Sequence, residues 1–354
     1  MTDLLQLTAD LVAVPSESHH EAALVDRIEA DLRAVPWLVT ERVGENLVAR
    51  TDLGRSIRLV LAGHTDTVPA NENATPRIEG DVLWGVGATD MKAGLAVMLE
   101  LARTVEDPAV DVTYVFYAGE EVEAVHNGLG HLFRDRPDLL VGDVALIGEP
   151  TEATIEAGCQ GSLRLRVTLA GARAHVARPW MGRNAIHRLG DLLLAVQGHD
   201  NRTPLIDGCR YREAFNAVFV EGGVAANVVP DRATVVLNHR FAPDRTAAEA
   251  EAAVRATLAP VLDDGDTVEV LDVADAAAPG LDHPVLRALI ERNALPVEAK
   301  LGWTDVARFA AHGIPAANFG PGDATIAHTR DERVHRGPID ACFAALDDLL
   351  RTGP

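Results

Sequence analysis

Five short motifs rich in acids and histidine are spread along the chain. They are Gly63-His64-Thr65-Asp66-Thr67, Thr89-Asp90-Met91-Lys92, Gly119-Glu120-Glu121, Gly148-Glu149-Pro150 and Ala327-His328-Thr329-Arg330-Asp331-Glu332. Two imidazoles and a group of carboxylates are the donor mix for a pair of divalent metal ions, with a carboxylate left over to act as base. The first four motifs each follow an apolar run that reads as a buried strand. The pattern therefore predicts side chains delivered to one edge of a sheet, where open α/β sheets bind ligands.

Taken singly, each motif has a plainer reading beside the chemical one. Residues two apart on a chain leaving a strand point the same way, so Asp66 can support a metal-bound His64 through its other ring nitrogen; a solvated His-x-Asp pair is the alternative. Asp90 stands before a helical pattern, where it can be an N-cap or a carboxylate shared by two metals. Adjacent Glu120 and Glu121 repel unless a cation lies near. One can ligate while the other takes a proton, or both can belong to an acidic turn continued by Glu123. Glu149 follows a buried strand and is poorly placed for solvation alone. His328 lies beyond a glycine-rich loop, Gly320-Pro321-Gly322-Asp323. His175, Asn227 and Arg240 gain no function from spacing alone. It is the joint occurrence of the five motifs, each in a loop, that favours a metal site.

A chain of 354 residues has room for two domains. Its hydrophobic fraction is 47% with no run of membrane-spanning length, which predicts a soluble globular protein. Met1-Thr2-Asp3 has no basic n-region and Leu4–Val14 has a helical pattern, so no signal peptide is expected. A formal charge of −21 disfavours nucleic acids and anionic membranes as partners. Cys159, Cys209 and Cys342 fit no metal or disulfide spacing and read as reduced cytoplasmic thiols. Lysine occurs only at Lys92 and Lys300.

The elements that must position the motifs follow from periodicity. Helices are expected around Asp3–Val14 and His20–Ala34, strands at Asn46–Ala49 and Leu59–Gly63, a hairpin arm at Arg77–Trp84, a helix at Met91–Arg103, and strands at Val112–Tyr117 and Val144–Ile147. The order strand, helix, strand, strand, helix, strand follows: Leu163–Leu169, Asn184–Val196, Ala217–Val220, Thr234–Asn238, Ala247–Leu262 and Thr267–Val273. From about His283 the first pattern resumes, with a strand at Glu298–Leu301, a helix at Asp305–His312, a strand at Ala316–Phe319 and a helix at Pro338–Arg351. The fold class is α/β: a mixed, mostly parallel sheet flanked by helices, with an inserted α+β domain. The catalytic domain is expected at residues 1–161 and 281–354, and the inserted one at 162–280.

The motifs resemble those of the co-catalytic zinc aminoacylase and carboxypeptidase family. The resemblance runs through Leu61–Pro69, Asp90–Leu95, Asn127–His131, Ile155–Ser162, Gly302–Phe309 and Phe319–Val334. It implies a zinc-exopeptidase-like fold whose inserted domain serves for dimerisation and as a lid. It implies two Zn2+ per subunit, replaceable by Co2+. His64 and Glu149 would bind one ion, Glu121 and His328 the other, and Asp90 would bridge them. Glu120 would be the general base and Asp66 would orient His64. His175 would stabilise the oxyanion across a homodimer interface, and Asn227, also in trans, would bind substrate with Arg240, Ser162 and Thr304. The implied substrate is a small N-succinyl amino acid, with an N-acetyl or other N-acyl amino acid, or a peptide, as the alternative. Two departures stand out: Ala93 replaces a glycine, and Cys159-Gln160 stands where many relatives carry arginine.

Overall fold

The computed structural model describes residues 2–354. Two compact units emerge: Met1–Gly158 with Pro279–Glu298 and Arg308–Pro354, and Cys159–Ala278 with Ala299–Ala307. The first begins with helices α1 (Leu4–Val12) and α2 (Ala22–Arg33), followed by β1 (Val39–Val43), β2 (Asn46–Arg50) and β3 (Arg58–His64). A small hairpin, β4 (Arg77–Glu79) and β5 (Val82–Trp84), leads through a π-helical turn at Ala88–Lys92 into α3 (Ala93–Thr104). Then come β6 (Asp111–Tyr117), α4 (Gly128–Asp135), β7 (Val144–Ile147) and β8 (Ile155–Ala157). The second unit contributes β9 (Gly161–Ala170), α5 (Ala185–Gln197), a short hairpin β10 (Leu205–Ile206) and β11 (Cys209–Arg210), β12 (Ala214–Gly222), β13 (Arg232–Phe241), α6 (Ala247–Leu258) and β14 (Thr267–Ala274). The chain returns through α7 (Pro284–Asn293), β15 (Val297–Ala299), α8 (Val306–Ala311), β16 (Ala316–Asn318), β17 (Arg333–His335) and α9 (Arg336–Thr352).

An eight-stranded mixed sheet organises the first unit, in the order β1-β2-β6-β3-β7-β16-β8-β15. Its central strands β6, β3, β7 and β16 are parallel, and antiparallel pairs flank them. Every residue of β6 and β7, and all of β3 after Arg58, is buried. Uniform burial explains why these strands read as largely apolar runs: parallel strands are covered on both faces. The register sets His64 beside Tyr117 and Ala62 beside Ile147, so β3, β6 and β7 all end at one edge. Asp3 caps α1 by accepting from the amides of Leu5 and Gln6. Between α3 and the sheet the approach is close: a Cβ on Gly94 would lie 2.3 Å from the Gly148 carbonyl oxygen. Glycine is therefore needed at residue 94, whereas Ala93 is accommodated as a buried side chain in the core.

The second unit is a four-stranded antiparallel sheet, β12-β13-β9-β14, with α5 and α6 packed on it. Burial alternates along β13, as it must when only one face of a sheet is covered. Leu165, Val167, Val235, Leu237, Leu189 and Val254 form part of its core. Edge strand β12 is exposed from Asn216 to Gly222.

Several elements depart from expectation. β1 carries Thr40, Glu41 and Arg42, which conceal a strand that β2 holds in place. α4 opens on Gly128, a poor helix former, and is rescued by Asn127, whose side chain accepts from Gly130 N–H. The strand expected at Glu298–Leu301 lies at Val297–Ala299, and beyond it Lys300 accepts from Gln160 N–H within the second unit. Among the described residues no helix is long and apolar enough to cross a membrane.

His239 is fully buried between Phe215 and Phe241, with Nδ1 directed at the Ala214 carbonyl at 3.3 Å. Burial pulls its pKa from 6.5 down to about 4. The unfolded chain thus binds this proton more readily, and stability falls as pH drops from 6.5 towards 4, by at most about 3 kcal/mol. Urea midpoints measured across this window should decline, and His239→Phe should flatten that decline; an identical slope in the variant would overturn the assignment.

Candidate metal centre

Three of the motifs leave neighbouring parallel strands. His64 ends β3; Glu120 and Glu121 lie just past β6; Glu149 lies two residues past β7, level with His64 if the β3–β7 register is continued. Asp90 does not arrive this way. It sits in the π-helical turn before α3 with extended backbone angles, φ −122° and ψ 95°, and the Asp90–Met91 peptide is cis. The expectation that a buried strand delivers it is corrected, and so is the N-cap reading. α3 begins at Ala93, and its capping position is Lys92, without a side-chain bond.

Asp90 instead spreads its carboxylate between two imidazoles. Oδ1 lies 3.1 Å from His64 Nε2, and Oδ2 lies 3.3 Å from His328 Nε2. His328 Nε2 is also 2.8 Å from Glu121 Oε1. His328 has left-handed backbone, φ 64°, and its side chain is 50% exposed, whereas that of His64 is 1% exposed. His64, Asp90 and Glu121 place ligand atoms within 4.8 Å of one another. Glu149 is buried at its strand end.

Asp66 organises what lies beneath. Its carboxylate accepts from Glu120 N–H at 3.0 Å, Glu121 N–H at 3.1 Å and the Ser18 hydroxyl at 2.8 Å. His64 Nδ1 is 3.6 Å from Asp66 Oδ1 and 3.0 Å from the Asp66 carbonyl. Nδ1 therefore donates to the Asp66 carbonyl, and Nε2 is the nitrogen turned towards Asp90, where a metal ion could take the place of its proton. Below, the Met91 sulfur accepts from His64 N–H at 3.3 Å. The turn carrying Glu120 and Glu121 starts at Gly119, φ 70°, where a Cβ would meet the His126 carbonyl at 2.6 Å.

Electrostatics tests whether metal ions suit these donors. Burial alone would keep the His64 ring neutral, yet hydrogen bonds to Asp66 and Asp90 raise its pKa well above 6.5. Bonds to Asp90, then to Glu121, push His328 up to about 10. Burial disfavours charge on Asp66 and Asp90, but the histidine bonds hold both well below the usual carboxylate range. A pocket that draws positive charge onto two rings attracts cations in general, and the donors are nitrogen and carboxylate oxygen. The set fits divalent ions such as zinc.

Ser18 and Glu332 are polar partners of the site that the motifs did not assign. The first lies in a polar connector without periodicity. The second is a buried carboxylate, raised to about 7 by burial, that accepts from Thr89 and Asp90 amides. The other expected site residues lie in the second unit. His175 is exposed and bridges to Val228, while Val176 N–H donates to the Asn227 carbonyl, so His175 and Asn227 share one loop cluster. Ser162 and Arg240 are cross-strand partners on β9 and β13. Thr304 is buried, and its carbonyl lies 3.8 Å from Cys159 Sγ.

Comparison with known proteins adds three kinds of match. The profile described as Peptidase family M20/M25/M40 matches residues 60–352. A putative succinyl-diaminopimelate desuccinylase of Mycobacterium tuberculosis is 51% identical over 99% of this chain and 97% of its own length. A succinyl-diaminopimelate desuccinylase of Corynebacterium glutamicum is 46% identical over 98% and 96%. Among solved structures, a Staphylococcus aureus tripeptidase superposes with TM-score 0.79 at 20% identity, covering 99% of this chain and 97% of its own. A dinuclear metal-binding peptidase of Bacillus subtilis superposes with TM-score 0.69 at 14% identity, covering 98% and 96%.

The Asp66 contacts lead to a direct expectation. Asp66→Asn keeps one acceptor but loses the charge that orients His64, so divalent-metal affinity should fall by about 10–100-fold. Competition titration against a chelator measures it, and unchanged affinity would refute the orienting role.

Proposed function

This chain belongs to peptidase family M20/M25/M40, and on that premise we propose that it hydrolyses N-succinyl-L,L-2,6-diaminopimelate to succinate and L,L-2,6-diaminopimelate, a step of diaminopimelate and lysine biosynthesis. It is an enzyme, an amide hydrolase. The observation that carries the reading is the Asp90 carboxylate set between His64 and His328, in a chain 51% and 46% identical to the two desuccinylases over nearly its full length.

His64 and Glu149 would hold one Zn2+, Glu121 and His328 the other, with Asp90 between them; Co2+ can take the same oxygen and nitrogen donors. When bound, the ions polarise the amide carbonyl and make water acidic enough to lose its proton near neutral pH. Glu120, fixed through its backbone to Asp66, accepts that proton and passes it to the departing amine. Asp66 keeps His64 in the ligating tautomer. His175 Nδ1 accepts from Ala177 N–H at 3.1 Å, so Nε2 carries the ring proton and can donate to the developing oxyanion. Arg240, Ser162, Asn227 and Thr304 bind the substrate's polar ends.

His175 and Asn227 act on the partner's substrate in a homodimer, through an inserted dimerisation domain at 162–280. Support comes from β12, an edge strand exposing Val218, Phe219 and Val220, and from the exposed Trp180 and Met181 of the His175 loop. Large apolar side chains left in solvent in this number are what an interaction face presents. Cys159, Cys209 and Cys342 are free and buried, in keeping with a reducing cytoplasm.

Steady-state assays on zinc-titrated protein should show turnover of N-succinyl-L,L-diaminopimelate and little of N-acetyl-ornithine; the reverse preference would reject the succinyl assignment while keeping the hydrolase. Glu120→Ala should lower kcat by about 10²–10⁴-fold with metal content unchanged, and near-normal kcat would remove Glu120 from the base role. Phe219→Asp should yield monomers in sedimentation that retain metal and lose about 10²-fold or more in kcat. Fully active monomers would show that His175 is not used in trans.

A further inference from the structure

Glu332 is 1% exposed and has no part in the ligation or proton transfer described above. A carboxylate so far from water needs donors to stay there. Its Oε1 accepts two: Thr89 N–H at 3.1 Å and Asp90 N–H at 3.2 Å. Successive backbone amides turned onto one oxygen make an anion-binding concavity. The two donors lie 243 and 242 residues away in the chain. The backbone of Glu332 is pinned as well, with its carbonyl accepting from Gly85 N–H at 3.2 Å and its N–H donating to Thr329 O at 3.2 Å.

Four residues earlier on the same loop is His328, half exposed and in left-handed backbone. Its neighbour Thr329 is tied down by Asn73 Nδ2 at 3.0 Å and by its own hydroxyl bond to Ile326 O at 2.7 Å. Neither Asp90 nor His328 belongs to a strand of the eight-stranded sheet. Sheet register therefore cannot bring Asp90 Oδ2 and His328 Nε2 to 3.3 Å. Glu332 joins the two pieces directly: its side chain holds the Asp90 backbone while its main chain continues from the His328 loop.

We propose that Glu332 is a positioning residue that clamps the Asp90 turn to the His328 loop, and so sets the affinity for the ion that Asp90 and His328 share. The inference rests on the dinuclear reading given under Proposed function. It needs only the acceptor oxygen, since the bonds are to neutral amides.

Metal-stripped wild type, Glu332→Ala and Glu332→Gln would be titrated with Co2+ by calorimetry and visible absorption, with melting temperatures measured alongside. Wild type should take up two ions. Glu332→Ala should weaken one of the two binding steps by about 10–100-fold, and Glu332→Gln, which keeps an oxygen for both amides, should recover most of that loss. Should Glu332→Ala not fold, Glu332→Met fills a similar volume without an acceptor and carries the same expectation. Wild type that binds fewer than two ions defeats the dinuclear reading itself. Two ions in wild type with equal affinities in the variants defeats the clamp, whatever happens to melting. Glu332→Gln as weak as Glu332→Ala also defeats it, because charge and not acceptor geometry would then matter.

Discussion

One carboxylate shared by two imidazoles is the constraint around which the first unit is arranged. Asp90 is 13% exposed on its side chain and Asp66 is fully buried. Removing such anions from water costs several kcal/mol each unless cations and hydrogen-bond donors replace the lost hydration. The donors come from separate stretches: a strand end supplies His64, a return loop supplies His328, and backbone amides of the Glu120 turn face Asp66. Parallel strands, π-helical turn and C-terminal loop must converge for the charges to balance. Close packing beneath completes it, with Met91 seated where side chains on Gly63 and Gly148 would collide with it.

How much of this is legible in the sequence depends on where each residue's partners lie. β3, β6 and β7 are readable because every position but the first of β3 is buried and the runs are largely apolar. His64, Glu120, Glu121 and Glu149 are readable because each interrupts or follows such a run abruptly. Asp90 looks like a helix cap, since Asp before a helical pattern normally is one; only its placement in the turn shows otherwise. Ser18 bonds Asp66 across 48 residues, and Glu332 bonds backbone amides, which no residue type advertises. β1 and α4 escape notice for local reasons, polar residues in one and an opening glycine in the other.

The second unit obeys a different rule. With only one sheet face covered by helices, β9 and β13 alternate; β12 does not, and Ala217–Val220 proves to be the middle of a nine-residue strand. Edge strands of monomeric proteins are usually guarded by charge, proline or bulges. β12 has a register shift after Ala217 and a single acid, Glu221, and between Ala217 and Val220 it turns only aliphatic and aromatic residues outward. No lysine or arginine lies within it.

The unequal exposure of the two histidines has a kinetic side. The His64 ring is enclosed at the end of a central strand, and it cannot swing away without disturbing β3. The His328 ring is half in solvent, and its side chain can turn away without moving any strand of the sheet. Ligand exchange at the two positions is thus governed by different barriers. For ions held as proposed, release on the His328 side would be timed by that side chain and release on the His64 side by the opening of the sheet edge.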